Sequence, residues 1–92
     1  MNYLVYILRC ADDTLYTGIT TDMDRRLQEH NSSQKGAKYT QTRRPVSLVY
    51  TEETVDRSAA LKREYALRNY SRTQKLALIK DYAGQSGTKD NE

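Results

Sequence analysis

The segment from Leu15 to His30 constrains the fold of this 92-residue chain more than any other. Its sequence, LYTGITTDMDRRLQEH, combines a short β-like run, a glycine and the start of an amphipathic helix. Tyr16 and Gly18 lie at the glycine turn, while Arg26 and His30 are four residues apart and therefore share one helix face. A phenol, a guanidinium and an imidazole thus come from one supersecondary unit, and this composition suits a chemical site.

One β-like run precedes this segment in the chain, one opens it, and one follows it. Residues 3–9 (YLVYILR) are rich in β-branched and aromatic types, and the turn formers of residues 11–14 separate them from the run at 15–19. These two runs predict an antiparallel hairpin whose register the sequence leaves open. Residues 46–51 (VSLVYT) alternate in the manner of a third strand.

Helix start signals follow the second and third strands. Thr21 or Asp22 can cap a first helix, and Asp56 or Ser58 can start a second. Residues 71–74 (SRTQ) match a capping box, which predicts a third helix ending near Tyr82. The predicted fold class is therefore α+β, with a three-stranded antiparallel or mixed sheet flanked by helices in the order ββαβαα.

The length of the chain supports a single small core, which we assign to a domain over residues 1–82. Residues 83–92 contain turn formers and charges and are predicted to form a disordered tail. No run is long enough for a membrane span, and the start of the chain is not typical of a secretion signal. A single cysteine, Cys10, excludes an internal disulfide and favours the cytoplasm. We assume a monomer.

Positive charge is concentrated between residues 35 and 75, where ten Lys or Arg face four acids. This asymmetry favours a polyanion-binding surface, although a solvated basic helix face accounts for much of it. Residues 34–44 (QKGAKYTQTRR) are interpreted as a surface loop that is either a phosphate clamp or a flexible connector. The candidate nucleic-acid contacts are Lys35, Lys38, Arg43, Arg44, Lys62 and Arg68.

Glu64 lies within or beside the apolar stripe of the second helix, three residues from both Leu61 and Leu67. A carboxylate in this position is costly unless it is paired or bound to a cation. A salt bridge to Arg63 or Arg68 is the simpler explanation, and a metal ion is the functional one.

Taken together, these residues resemble the GIY-YIG nuclease superfamily, and more narrowly its small stand-alone bacterial single-domain members. Val5-Tyr6-Ile7 corresponds to the first family tripeptide and Tyr16-Thr17-Gly18 to the second. The ten-residue spacing of the tyrosines, the segment RRLQEH and a later helical glutamate complete the resemblance. It extends over roughly residues 3–80.

The resemblance implies a divalent metal-dependent endonuclease that hydrolyses phosphodiester bonds in DNA during repair or processing. By this resemblance Glu64 is the metal-binding carboxylate, with one Mg²⁺ or Mn²⁺ ion as the cofactor. Arg26 corresponds to the residue that holds the scissile phosphate, and Tyr6 and Tyr16 to the tyrosines that position or deprotonate the attacking water. His30 occupies a position where many members have histidine, and its usual pKa near 6.5 suits a proton relay.

Two other functions stay open on the sequence alone. A non-catalytic nucleic-acid-binding module would keep the fold and the basic surface without efficient chemistry. A structural or protein-interaction role would show no salt-sensitive binding of nucleic acid. With few means of base recognition evident, cleavage is expected to be weakly sequence-selective and to favour single strands, branches or ends.

Overall fold

A computed structural model describes the backbone of residues 2–90 and the side chains of residues 2–84. Its elements are β1 (Tyr3–Arg9), β2 (Leu15–Thr20), α1 (Met23–Ser32), α2 (Lys38–Gln41), β3 (Ser47–Thr54), α3 (Arg57–Arg68) and α4 (Arg72–Asp90). The predicted α+β fold class is confirmed. All strand pairs are antiparallel, so the sheet is not mixed. Within the described residues, every helix is too short or too polar to cross a membrane.

Strand β1 is the centre of the sheet, whose strand order is β2-β1-β3. A central strand is covered on both faces, and the apolar run of β1 meets this requirement because Val5, Ile7 and Leu8 are fully buried. In the hairpin, Tyr6 is opposite Gly18 and Leu8 is opposite Tyr16. This register, which the sequence left open, puts the two tyrosines on one face at diagonal positions.

Each face of the sheet has its own apolar cluster. On one face, Tyr6, Leu8 and Cys10 pack with Met23 and Leu27 of α1. On the other, Val5 packs with Ala60 and Leu67 of α3. The alternation of side chains along β1 thus separates α1 from α3 by the thickness of the sheet.

The predicted helix starts are confirmed by cap hydrogen bonds. The Asp22 side chain accepts from the Arg25 amide and that of Asp56 from the Ala59 amide. At α4, the Gln74 amide donates to Ser71 Oγ while the Ser71 amide donates to Gln74 Oε1. This reciprocal pair is a capping box.

Two segments differ from the sequence prediction. Residues 34–44, predicted as a loop, contain the four-residue helix α2, which packs against α1. Helix α4 continues to Asp90 instead of ending near Tyr82, although Gly84 and Gly87 have low helix propensity. No proline interrupts the segment, so the helical hydrogen bonds can propagate along it. The backbone of residues 83–90 is therefore helical, and residues 91–92 lie outside the described residues. The domain boundary at residue 82 stays a prediction.

Candidate active site

A fully enclosed hydrogen bond joins β1 to α1 at the centre of the candidate site. The Tyr6 hydroxyl is 2.8 Å from His30 Nε2, and the two side chains are 1% and 0% exposed. Tyr6 reaches His30 because β1 directs this side chain toward the apolar face of α1. A strand tyrosine and the only histidine of the chain are therefore one buried unit.

The other ring nitrogen of His30 determines which atom donates in this unit. His30 Nδ1 is 2.8 Å from Thr40 Oγ1, and the Thr40 hydroxyl donates to the Ala37 carbonyl. Because a hydroxyl has one proton, Thr40 must accept from Nδ1–H. Nε2 is then unprotonated and accepts from the Tyr6 hydroxyl. Each group donates to the next in the order Tyr6, His30, Thr40 and the Ala37 carbonyl.

The pKa values of the pair agree with this neutral arrangement. Burial raises the pKa of Tyr6 to about 12, against the opposing effect of the neighbouring Arg26 guanidinium. Burial, followed by the positive charge of Arg26, lowers the pKa of His30 to about 4. Tyr6 is consequently a phenol and His30 a neutral imidazole across the physiological pH range.

Gly18 is the position on β2 that allows Tyr6 to lie where it does. A Cβ added to Gly18 would be 2.5 Å from the Tyr6 hydroxyl oxygen and 2.6 Å from the adjoining ring carbon. Both distances are shorter than side-chain packing permits, so the glycine is required by the close approach of the tyrosine.

Tyr16 is the more accessible of the two tyrosines. Its ring centroid is 5.3 Å from that of His30 in an edge-on contact and 6.4 Å from that of Tyr6. Tyr16 is half-buried, and its hydroxyl has no hydrogen-bond partner among residues 2–84. Tyr6 is thus fixed within the protein, whereas the Tyr16 hydroxyl is available to a ligand.

Arg26 lies beside the Tyr6 hydroxyl with only part of its guanidinium engaged. Its Nη1 donates to Glu29 Oε1 and to the Lys35 carbonyl, each at 2.9 Å. The guanidinium also makes a hydrogen-bond contact with the Tyr6 side chain. These contacts hold the planar group in place and leave part of its set of five N–H donors for a phosphate.

Glu64 is on the face of α3 that packs on the sheet, one turn after Ala60 and one turn before Leu67. Its charge adds to the upward shift of the Tyr6 pKa, so the carboxylate is near the site. The predicted alternative of a salt bridge does not occur, because Arg63 pairs with Glu52 and no ion pair joins Glu64 to Arg68. Among residues 2–84 Glu64 has neither an ion-pair nor a hydrogen-bond partner.

These surroundings suit a hard divalent cation held by few protein ligands. No group of three or more His, Cys, Asp or Glu within the described residues could hold a metal ion on its own. Mg²⁺ is commonly held by one or two carboxylates together with water and substrate phosphate. A half-buried, unpaired Glu64 fits that pattern, with the remaining ligands supplied from outside the chain.

The six predicted nucleic-acid contacts divide into two groups. Arg44 donates to three carbonyls at the end of α1, and Arg43 pairs with Asp12 and lies over the Tyr39 ring. Both arginines therefore stabilise the α1–β3 connection. The other four side chains are exposed and make no ion pair within residues 2–84: Lys35, Lys38, Lys62 and Arg68.

Two residues near the site were absent from the sequence prediction. Thr40, 0% exposed, fixes the proton on His30, and Tyr39 stacks on Tyr16 with ring centroids 5.9 Å apart. Both residues belong to α2, a helix that the sequence pattern did not indicate. The presence of a single tyrosine in the basic loop was the only sequence feature that pointed to this part of the site.

Comparisons with known proteins identify the family of the chain. The family model of the GIY-YIG catalytic domain matches residues 2–77. A UPF0213 protein of Desulfotalea psychrophila is 62% identical over 78 residues, covering 85% of this chain and 71% of its own. A UPF0213 protein of Syntrophus aciditrophicus is 57% identical over 79 residues, covering 86% of this chain and 90% of its own.

Two solution NMR structures have the same fold. A UPF0213 protein of Bacillus halodurans has a TM-score of 0.55 at 46% identity, covering 87% of this chain and 84% of its own. A protein of E. faecalis has a TM-score of 0.61 at 41% identity, covering 90% and 88%. The chain therefore belongs to the GIY-YIG domain family, a family of the nuclease type, and resembles its UPF0213 members.

Proposed function

We propose that this protein is a divalent metal-dependent enzyme that hydrolyses phosphodiester bonds in DNA. The observation that carries the proposal is the set of unpaired donors and acceptors around one buried hydrogen-bonded pair. The remaining N–H groups of Arg26, the Tyr16 hydroxyl and the Glu64 carboxylate have no partner within residues 2–84, and they lie beside the paired Tyr6–His30 unit. Membership of a nuclease-type family supports the same function.

Each of these residues has a role in the hydrolysis that its surroundings support. Arg26 binds the scissile phosphate, because its free N–H groups form a planar fork for phosphate oxygens. Tyr16 orients the attacking water with its free hydroxyl. Tyr6 is adjacent to Arg26, so a phosphate bound there lies next to the Tyr6–His30 pair.

The buried pair orients the attacking water. Tyr6 has a pKa near 12, so a free tyrosinate is rare at neutral pH. Proton transfer to Nε2 would make His30 a buried cation beside Arg26, and its pKa of about 4 opposes that charge. The Tyr6 oxygen therefore accepts a hydrogen bond from the attacking water while its own proton stays directed at Nε2, and Thr40 holds the His30 tautomer that accepts this proton.

Glu64 is the residue that would hold the divalent cation, Mg²⁺ or Mn²⁺. When bound, such an ion neutralises charge on the phosphate and stabilises the departing oxygen. The carboxylate supplies a single anionic ligand, consistent with an ion that also binds the substrate.

We further propose action in the cytoplasm, in DNA repair or processing, by a protein that selects DNA structure over sequence. The basis is the chemistry of the groups described above, which contact phosphate and water rather than base edges. Recognition through phosphates carries no direct sequence information. Single strands, branches and ends are the expected substrates.

The test is cleavage of labelled single-stranded, duplex and branched DNA in Mg²⁺ or Mn²⁺, with chelator as the blank. Wild type is compared with Glu64→Gln, Tyr6→Phe and Glu53→Gln, all purified identically. We expect Glu64→Gln to lower the rate by roughly 10²–10³-fold. Glu53→Gln is the matched control, because Glu53 is exposed and contacts only Asn2.

The outcomes separate three cases. Cutting by wild type and Glu53→Gln alone supports the proposal, whereas equal cutting by all four proteins indicates a contaminating nuclease. If none cuts and all bind DNA with an affinity that falls as salt rises, the protein is a binding module and the proposed chemistry is wrong.

A further inference from the structure

A cleft of about 240 Å³ opens at the start of β2. Pockets that enclose drug-sized ligands have volumes of ~300–1,000 Å³, so this cleft suits a smaller group. Its lining is Leu15, Tyr16, Thr17, Tyr39, Arg68 and Lys75. Two cations, two phenols and one hydroxyl make it positive and rich in donors.

The polar groups of the cleft are largely unpaired. Within residues 2–84, the side chains of Arg68 and Lys75 make no ion pair, and the Tyr16 and Tyr39 hydroxyls make no hydrogen bond. Thr17 is 4% exposed, and its buried hydroxyl has no partner. The Thr17 hydroxyl is an exception to the usual pairing of buried polar groups, while the other groups are open to solvent. Their combined donors and positive charge suit an anionic ligand.

The cleft adjoins the candidate active site through two elements. Tyr16 belongs to both, and Arg68 is one helical turn beyond Glu64 on α3. The Tyr39 ring is held against Tyr16 and under the Arg43 guanidinium, whose carbon is 3.9 Å from the ring centroid. A strand bound at Arg26 and Glu64 can therefore continue into the cleft.

We propose that this cleft binds the phosphate next to the scissile one on the same DNA strand, with its attached sugar. Arg68 and Lys75 neutralise the phosphate, and the Tyr39 hydroxyl donates to one of its oxygens. The inference rests on the proposed function, to which it adds a flanking-phosphate subsite. A substrate must then present at least two consecutive phosphates to bind fully.

The test measures binding and cleavage separately. In Ca²⁺, NMR titrations follow binding of di- and trithymidylate, which contain one and two phosphodiesters. The proteins are wild type, Arg68→Gln, Lys75→Gln and the control Lys80→Gln, an exposed α4 lysine outside the cleft. We expect the first two variants to weaken trithymidylate binding about tenfold and to lower the salt slope by about 1. The dinucleotide should be affected far less.

In the cleavage arm, the same two variants are expected to raise KM with kcat unchanged, while Lys80→Gln behaves as wild type. The inference is overturned if Arg68→Gln and Lys75→Gln match the control in both arms, or if all four proteins bind the two oligonucleotides equally. Wild type that binds trithymidylate through the cleft but cuts no DNA would instead overturn the proposed function and leave the subsite standing.

Discussion

The two halves of the candidate site differ in how their polar groups are paired. In the buried half, Tyr6, His30 and Thr40 form one hydrogen-bonded chain that ends on a backbone carbonyl. In the open half, the Tyr16 hydroxyl and the Glu64 carboxylate have no partner within residues 2–84. Buried polar groups without partners are costly, and exposed ones are not. The buried half is therefore complete in the free protein, and the open half is available to ligands.

The contrast assigns stability to one half and binding to the other. A change in the buried half should be seen in unfolding as well as in activity. A change in the open half should be seen in activity or binding alone. Three predictions test this division, in order of expected size.

The largest effect is expected from pH, through His30. The pKa of His30 is about 4 in the folded protein and near 6.5 in the unfolded chain. Between pH 4 and pH 6.5 the imidazole is therefore more protonated in the unfolded chain, which favours unfolding as pH falls. The stabilisation is fully present above pH 6.5 and is lost as pH falls toward 4, on the order of 3 kcal/mol in all. Urea unfolding at several pH values measures this loss.

The matched control is His30→Gln, which removes the only histidine of the chain. Carboxylates contribute below about pH 5, so the comparison is made between pH 5 and 6.5. The free energy of unfolding of the variant should change little over that window. A wild-type protein whose stability is equally flat there would contradict the buried neutral imidazole.

The two tyrosines should differ when each loses its hydroxyl. Tyr6→Phe leaves His30 Nε2 buried without a donor and is expected to lower the free energy of unfolding by about 1–3 kcal/mol. Tyr16→Phe removes an unpaired hydroxyl and should change stability by less than about 0.5 kcal/mol. Denaturant unfolding of both proteins gives the comparison, and equal losses would contradict it.

An effect no larger than that of Tyr6→Phe is expected from two buried threonines. Thr17 has an unpaired hydroxyl, and Thr40 has a paired one. Thr17→Val should be neutral or raise the free energy of unfolding by up to about 1 kcal/mol. Thr40→Val should lower it by about 1–3 kcal/mol, because His30 Nδ1–H loses its acceptor. Thermal unfolding of the pair is the measurement, and a loss in Thr17→Val equal to that in Thr40→Val would remove the distinction.

Local signals made most of the fold predictable. Strands β1 and β2 follow from β-branched and aromatic runs, and α1, α3 and α4 begin where Asp22, Asp56 and the Ser71–Gln74 capping box indicate. At these positions the local signals agree with the surrounding structure. The end of α4 was missed because its last residues lack an apolar pattern.

The site was predictable only where its residues carry distinct chemistry. Arg26 and His30 share a helix face by spacing alone, but the Thr40 contact depends on how the loop folds back on α1. Arg43 and Arg44 were predicted as nucleic-acid contacts because of their charge. Charge does not reveal a partner: both make intramolecular contacts, and their role in binding nucleic acid stays a prediction.

The central claim, that a divalent ion binds at Glu64 in the open half, is tested most directly by paramagnetic NMR. Labelled protein is titrated with a small amount of Mn²⁺ in the presence of trithymidylate, and line broadening is mapped along the chain. We predict broadening centred on the residues around Glu64 and Tyr16. It should disappear in Glu64→Gln and persist in Glu53→Gln. Broadening that persists unchanged in Glu64→Gln, or that is centred elsewhere, would contradict the claim.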